Sequence, residues 1–276
     1  MLKSSITLKN DEIDSLAIGG FDGVHLGHQK LLSHLSSKGA VMVIHRGGKG
    51  LTPKKERCLY HDKACVFLEL DDIKGMEAKD FVLFLQESFP KLKTIVVGYD
   101  FHFGKERKGD IKYLKKEFSG NVMVIEEVLH EGISVHSKKI KDLLLQAKVE
   151  KANALLGRKY SIKGDIIQGQ GLGKKVLYPT INIRTGDFFL PKSGVYATEI
   201  VLAGKSFPSV TFIGERLSTD GKFSLETHIL EEDLKVFEKE CTVLFKTFLR
   251  ENKKFENLGD LKEQISLDIQ KALLTH

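Results

Sequence analysis

Glycine, histidine, hydroxyl and carboxylate side chains fall in three short clusters whose spacing suits work on phosphate. The first is Gly19-Gly20-Phe21-Asp22-Gly23-Val24-His25-Leu26-Gly27-His28, directly after the apolar run Ser15–Ile18. Glycines at the end of a strand let backbone approach a ligand closely, and a following helix offers unpaired N–H groups to phosphate. His25 and His28, three residues apart around Gly27, can face one pocket and stabilise charge building on a pentavalent phosphorus. Zinc ligation is discounted because no third ligand follows at a useful spacing; an exposed turn with idle histidines is the plain alternative. The second cluster is an alternation of Gly164, Gly169, Gly171 and Gly173 ending in Lys174-Lys175. No helix follows it, so it reads as a flexible arch able to wrap polyphosphate, or equally as a bulged strand. The third joins Pro179-Thr180-Ile181-Asn182 to Glu226 in Ser224–Leu230. On a strand, Thr180 and Asn182 point to one side and can offer hard oxygen ligands to Mg²⁺. Glu226 and His228 share a face opposite Leu225, Thr227 and Ile229, which by itself is compatible with a solvated carboxylate.

These residues need elements to position them. In the first half Ser15–Ile18, Val41–Ile44, Thr94–Val97 and Val122–Ile125 read as buried strands. Helical spacing appears after Gly27 and from Ala78 to Phe89, where Pro90 acts as a stop. Short apolar strands separated by helices predict a parallel sheet with crossover helices. Helix in two pieces is expected between Ser137 and Leu156, with Gly157 past its end. The texture then changes to strands without intervening helices: a hairpin over Val195–Ile213 turning at Ala203-Gly204, then Ser224–Leu230 and Cys241–Leu249. A last helix from about Leu258 would carry Leu261, Ile265, Ile269 and Leu273 on one side. The domain boundary is placed near residue 155.

Composition narrows the class. At 276 residues, the chain has room for two domains, and 41% hydrophobic with 29% charged residues excludes disorder. No apolar run approaches the roughly 18 residues of a membrane helix, and the amino terminus does not resemble a signal peptide. Cys58, Cys65 and Cys241 lack CxxC spacing, so three reduced, structural thiols in a cytoplasmic protein are expected. The net charge of +6 predicts attraction to anions without saying which.

GGFDGVHLGHQKLL resembles the HxGH signature of nucleotidyltransferases, in the form found in bacterial bifunctional riboflavin kinase/FAD synthetases. Gly98-Tyr99-Asp100-Phe101-His102-Phe103-Gly104 is similar to a second segment of that family. In a third, His136-Ser137-Lys138-Lys139-Ile140-Lys141, Ser137 survives and Lys141 stands for an arginine, keeping charge but losing the bidentate fork. The second half resembles the flavokinase module over nearly its whole length. The resemblance implies an α/β nucleotidyltransferase-like (Rossmann-like) domain over 1–155, followed by a flavokinase-type antiparallel β-barrel with a C-terminal helix over 156–276. It further implies phosphorylation of riboflavin to FMN and adenylylation of FMN to FAD, with ATP as co-substrate, Mg²⁺ as cofactor, and no nucleic acid or membrane partner. Glu226 would be the kinase base, with Thr180 and Asn182 on the metal and Gly169, Gly171, Gly173 and Lys174 on nucleotide. In the first domain Gly19, Gly20, Phe21, Asp22, His25, His28, Ser137 and Lys141 would bind nucleotide, with His28 catalytic. Asp100 and Phe101 would meet flavin, as would Arg250 in the second domain; for Phe101 a core contact is equally open. Three other readings remain: an enzyme keeping only the kinase, a flavin-storage module, and a basic nucleic-acid-binding barrel. The last is disfavoured by the absence of tryptophan and of paired aromatic-basic platforms.

Overall fold

Val41, Met42 and Val43 are all buried although neighbours on a strand face opposite ways, so the sheet they belong to is covered on both sides. The computed structural model describes residues 3–4, 9–167, 178–218, 221–231 and 236–275. Its first unit contains a six-stranded sheet of β1 (Lys3–Ser4), β2 (Ser15–Gly19), β3 (Gly39–His45), β4 (Ala64–Glu69), β5 (Thr94–Gly98) and β6 (Asn121–Ile125). The order is β1-β4-β3-β2-β5-β6, all parallel except β1 against β4. On one face Leu16, Ile18, Met42, Ile95 and Val97 pack on Phe81 and Leu85 of α3 (Ala78–Ser88) and Leu114 of α4 (Ile111–Glu117). On the other, Ala17, Val41, Val43 and Val96 pack on Leu32 and Leu35, in and just after α1 (Leu26–Leu32). A short α2 (Leu70–Ile73) follows β4. The winding reverses between β2 and β5, and in open α/β sheets ligands bind at the carboxyl ends of the strands at such a point. Gly19-Gly20 and Gly98 occupy those ends.

The second unit is a closed barrel in the order β10-β13-β12-β11-β14-β9, with every neighbouring pair antiparallel. Its strands are β9 (Tyr160–Ile167), β10 (Ile181–Arg184), β11 (Gly194–Leu202), β12 (Lys205–Glu215), β13 (Phe223–Ile229) and β14 (Glu240–Arg250), and a minor hairpin, β7 (Leu129–His130) with β8 (Ile133–Ser134), belongs to the first unit. The β11–β12 hairpin turns at Ala203 and Gly204, both with positive φ, the primed geometry that matches strand twist. Inside the barrel Thr198, Ser209, Thr211 and Thr227 are fully buried and bond one another through their hydroxyls at 2.8–2.9 Å. Gly164 in β9 has no room for a side chain, since a Cβ there would lie 2.6 Å from the Arg184 carbonyl oxygen. It serves the closing β9–β10 pair, and only the rest of the proposed arch lies beyond it.

The compact units divide after Ser137, whereas the sequence places the boundary near 155. The difference is α5 (Ser137–Leu145) and α6 (Val149–Leu156), which join the barrel unit from Lys138 onward. Asn153 explains it: its Nδ2 donates to the Phe245 carbonyl at 2.9 Å and its Oδ1 accepts from Tyr160 N–H at 2.6 Å. Lys192 N–H likewise donates to the Leu144 carbonyl. Finally α7 (Leu258–Leu273) covers Val195, Ala197, Val210 and Phe212 with Ile269 and Ala272. A second difference concerns the thiols. Cys58 and Cys65 are joined in a disulfide, and of the three only Cys241 is free, with burial pushing its thiol up to about 12. No helix among the described residues is long and apolar enough to cross a membrane.

Candidate active sites

The first site is the turn between β2 and α1. Phe21, Gly23 and Val24 all have positive φ, so the chain coils tightly after Gly20. Three contacts from distant segments hold it: Ser137 Oγ donates to the Asp22 carbonyl at 2.6 Å, Gly23 N–H donates to Thr52 Oγ at 2.7 Å, and Thr52 N–H donates to Asp22 Oδ1 at 3.2 Å. His25 caps α1, its Nδ1 accepting from His28 N–H at 3.3 Å. A ring nitrogen that accepts from backbone carries no proton, so the neutral His25 ring holds its proton on Nε2. The His25 and His28 rings stack at 3.6 Å, with His25 buried and His28 half-buried. A Cβ on Gly27 would come within 3.2 Å of the His25 ring, so glycine permits the stack. Phe21 lies in the core beneath the turn, its ring 5.0 Å from that of His28. Only its backbone is available at the turn.

At the end of β5, Asp100 is exposed and Phe101 is half-buried, stacked on the buried Phe103 ring at 5.6 Å and packed on the core. The core half of the open reading of Phe101 is thus realised. Beside it Tyr99 Oη and His136 Nε2 converge on Glu127, which also accepts from Ser134 Oγ at 2.5 Å. That last bond, before any other, holds the Glu127 carboxyl below its usual range. Lys141 sits in the second unit, its ammonium 5.5 Å from the Phe189 ring centre.

The second site lies on the outer wall of the barrel. Asn182 of β10 stands directly opposite Glu226 of β13, so both side chains leave the sheet on one side. Thr180 Oγ donates to Glu226 Oε2 at 3.3 Å, and Arg216 donates to Oε1 at 3.1 Å. His228 is next on the same face, its ring 5.3 Å from Tyr178. Its Nδ1 lies 2.7 Å from the Pro179 carbonyl, which can only accept, so Nδ1 is the protonated nitrogen. Burial pushes the His228 imidazole below its ordinary value, opposed by that bond. Thr180, Asn182 and Glu226 form a hard oxygen donor set, which fits Mg²⁺. Gly169, Gly171, Gly173 and Lys174 lie outside the described residues. Arg250, expected at flavin, clasps the buried Asp268 of α7 through Nε and an Nη at 2.8–2.9 Å.

Arg216, Thr52 and Asp268 were not legible as site or strut residues. The hairpin register that carries Glu226 also pairs Glu215 with Phe223, which places Arg216 at the same end of the barrel. That register is the signal for Arg216; Thr52 has none in its own segment.

Comparison with known proteins covers both units. Residues 156–275 match the riboflavin kinase family, and residues 7–45 and 61–139 match the FAD synthetase family. A bifunctional riboflavin kinase/FMN adenylyltransferase of Buchnera aphidicola subsp. Schizaphis graminum is 32% identical over 93% of this chain and 92% of its own. The Escherichia coli K12 protein of the same description is 29% identical, over 92% and 90%. A crystal structure titled as a macrolide-efflux protein from Streptococcus pneumoniae superposes with a TM-score of 0.82. It shares 22% identity over 96% of this chain and 97% of its own, and so bears on fold alone. With both regions present in that order, the chain belongs to the bifunctional riboflavin kinase/FMN adenylyltransferase family.

Proposed function

We propose that the outer-wall cluster around Glu226 phosphorylates riboflavin and that the Gly19–His28 turn adenylylates the FMN so formed. The observation that carries the kinase reading is one carboxylate, Glu226, held by Thr180 and Arg216 directly opposite Asn182. Riboflavin's 5′-hydroxyl gives its proton to Glu226 as its oxygen attacks the γ-phosphorus of ATP, and ADP leaves. Arg216 fixes the carboxylate and keeps one oxygen occupied, leaving the other toward Thr180. Thr180 and Asn182 would hold Mg²⁺, which when bound neutralises polyphosphate charge. Gly169, Gly171, Gly173 and Lys174 supply N–H groups and countercharge to the same polyphosphate.

In the amino-terminal unit an FMN phosphate oxygen attacks the α-phosphorus of a second ATP, forming the FAD bridge and releasing pyrophosphate. No protein nucleophile is needed, so positioning and donors carry the step. The tight turn at Gly19, Gly20 and Asp22 brings backbone N–H groups to the phosphates, and Ser137 straps it from behind. His28, half-buried and backed by the His25 ring, donates to the oxygen that gains charge. Asp100 and the exposed side of Phe101 border the flavin. Reactants are riboflavin, FMN, FAD and ATP, and the setting is cytoplasmic. The test is a time course of the purified protein with riboflavin, ATP and Mg²⁺, resolved by chromatography. FMN appearing first and FAD after it is expected; FMN that accumulates without FAD would remove the second assignment, and unchanged riboflavin the first.

A further inference from the structure

Cys58 and Cys65, seven residues apart with Cα atoms 6.2 Å apart, form a disulfide beside the first site. Cys58 is half-buried within a 3₁₀ segment, Lys54–Tyr60, while Cys65 is fully buried in β4. His61 lies between them, its Nε2 3.6 Å from the Cys65 sulfur. Two sulfurs and an imidazole nitrogen within 4.8 Å of one another are a conceivable metal set. The hydrogen bonding argues otherwise. Lys63 N–H donates to His61 Nδ1 at 3.2 Å, so in the neutral ring the proton sits on Nε2, facing sulfur. A metal-bound histidine has the reverse arrangement, with its outer nitrogen donating. An N–H aimed at sulfur instead favours a departing thiolate.

We infer that Cys58–Cys65 is a reversible disulfide, open to small dithiols and closed by small disulfides, and that it sets the ATP affinity of the adenylyl-transfer turn. The link is short. Arg57, adjacent to Cys58 and 6% exposed, donates from Nε to the Thr52 carbonyl at 3.0 Å, and Thr52 holds both Asp22 and Gly23. Among the described residues one buried Nη of Arg57 has no hydrogen-bond partner, so its place depends on the chain around it. Arg57 and Cys58 lie between the two segments that match the FAD synthetase family, residues 7–45 and 61–139, whereas His61 and Cys65 lie within the second. In reduction, a dithiol's thiolate attacks the sulfur of Cys58, the less buried of the two cysteines, and the S–S bond breaks. Cys65 leaves as a thiolate facing His61 Nε2–H and takes up a proton. The reductant's second thiol then displaces Cys58, so one dithiol becomes one cyclic disulfide and two electrons and two protons pass to the protein. Opening the bond frees the loop between the two cysteines and loosens Arg57 and Thr52.

The coupling rests on ATP binding at this turn, whereas the disulfide itself does not. The full-length protein is equilibrated in reduced/oxidised dithiothreitol buffers, acid-quenched, unfolded, alkylated and peptide-mapped. In parallel, FAD formation from FMN and FMN formation from riboflavin are measured at limiting ATP. Cys58 and Cys65 are expected to change state together while Cys241 is alkylated throughout. Reduction should raise the KM for ATP in FAD formation by about fivefold and leave FMN formation unchanged. Cys58→Ser should be fixed at the reduced level, and His61→Ala should slow reduction. Free thiols at 58 and 65 in every buffer would overturn the inference, as would a bond that forms without moving KM. Should neither redox state make FAD, the ATP assignment fails and so does the coupling. Trypsin cleavage after Lys54, Lys55 and Arg57 then reads the clip alone: faster cutting on reduction upholds it, equal cutting overturns it.

Discussion

Glu226 is held from two sides, by Thr180 Oγ on one oxygen and Arg216 on the other, and this sets what its replacement does. Glu226→Gln keeps a similar shape but cannot take a proton, so FMN formation should fall by about 10²–10⁴-fold, read as initial rates with riboflavin. A fall of less than tenfold would move the base elsewhere. His228 gives a prediction in pH. Burial lowers its folded-state affinity for protons relative to the ordinary value near 6.5, so the unfolded chain binds more protons there. The stability due to neutral His228 is complete above about 6.5 and is lost as pH falls below it. Urea midpoints across that range should therefore decline more steeply in the wild type than in His228→Asn. The sequence shows Glu226 and His228 on one face because strand alternation is strict. It does not show Arg216, whose partner lies across a turn, or that two of three cysteines bond, since pairing depends on how the 3₁₀ segment meets β4.

The elements behave as their burial patterns dictate, with one instructive exception. Strands such as Ser15–Gly19 and Thr94–Gly98 are legible because a parallel strand covered on both faces is apolar throughout. The strand Ala64–Glu69 passes unread because it runs directly into α2 without a glycine or proline to mark its end. For α7, the apolar stripe Leu261, Ile265, Ile269 and Leu273 suggests the covered face, yet Leu273 is 54% exposed and Asp268 is 1% exposed. A pattern that counts aspartate as polar cannot place it inward; the Arg250 guanidinium, supplied by β14, with a further bond from Gln264 Nε2 at 3.1 Å, makes that burial tolerable. Removing one partner of a buried ion pair leaves the other uncompensated. Asp268→Ala should thus cost about 3–5 kcal/mol in chemical denaturation, while Leu273→Ala should change stability by about 0.5 kcal/mol or less. Equal effects from the two would mean that apolar packing rather than the ion pair fastens the helix.

At the scale of the molecule, two units each hold their own core and their own candidate site. The order of domains was legible because motif after motif occurs in family sequence. The riboflavin kinase match begins at residue 156, while the compact units divide after Ser137 because α5 and α6 group with the barrel, Asn153 tying α6 to β9 and β14. Under the proposed function each site does one step and FMN is the intermediate between them. This is tested by comparing Glu226→Gln, His28→Ala and an equimolar mixture of the two, each given riboflavin, ATP and Mg²⁺, with flavins separated by chromatography. Riboflavin should stay nearly unchanged with the first variant, and the second should give FMN without FAD, with His28→Ala slowing adenylylation by about 10²–10³-fold. The mixture should make FAD, because FMN released by one protein is adenylylated by the other. Loss of both activities in either folded variant, or a mixture that makes no FAD although Glu226→Gln converts supplied FMN, would contradict two sites acting in series through free FMN.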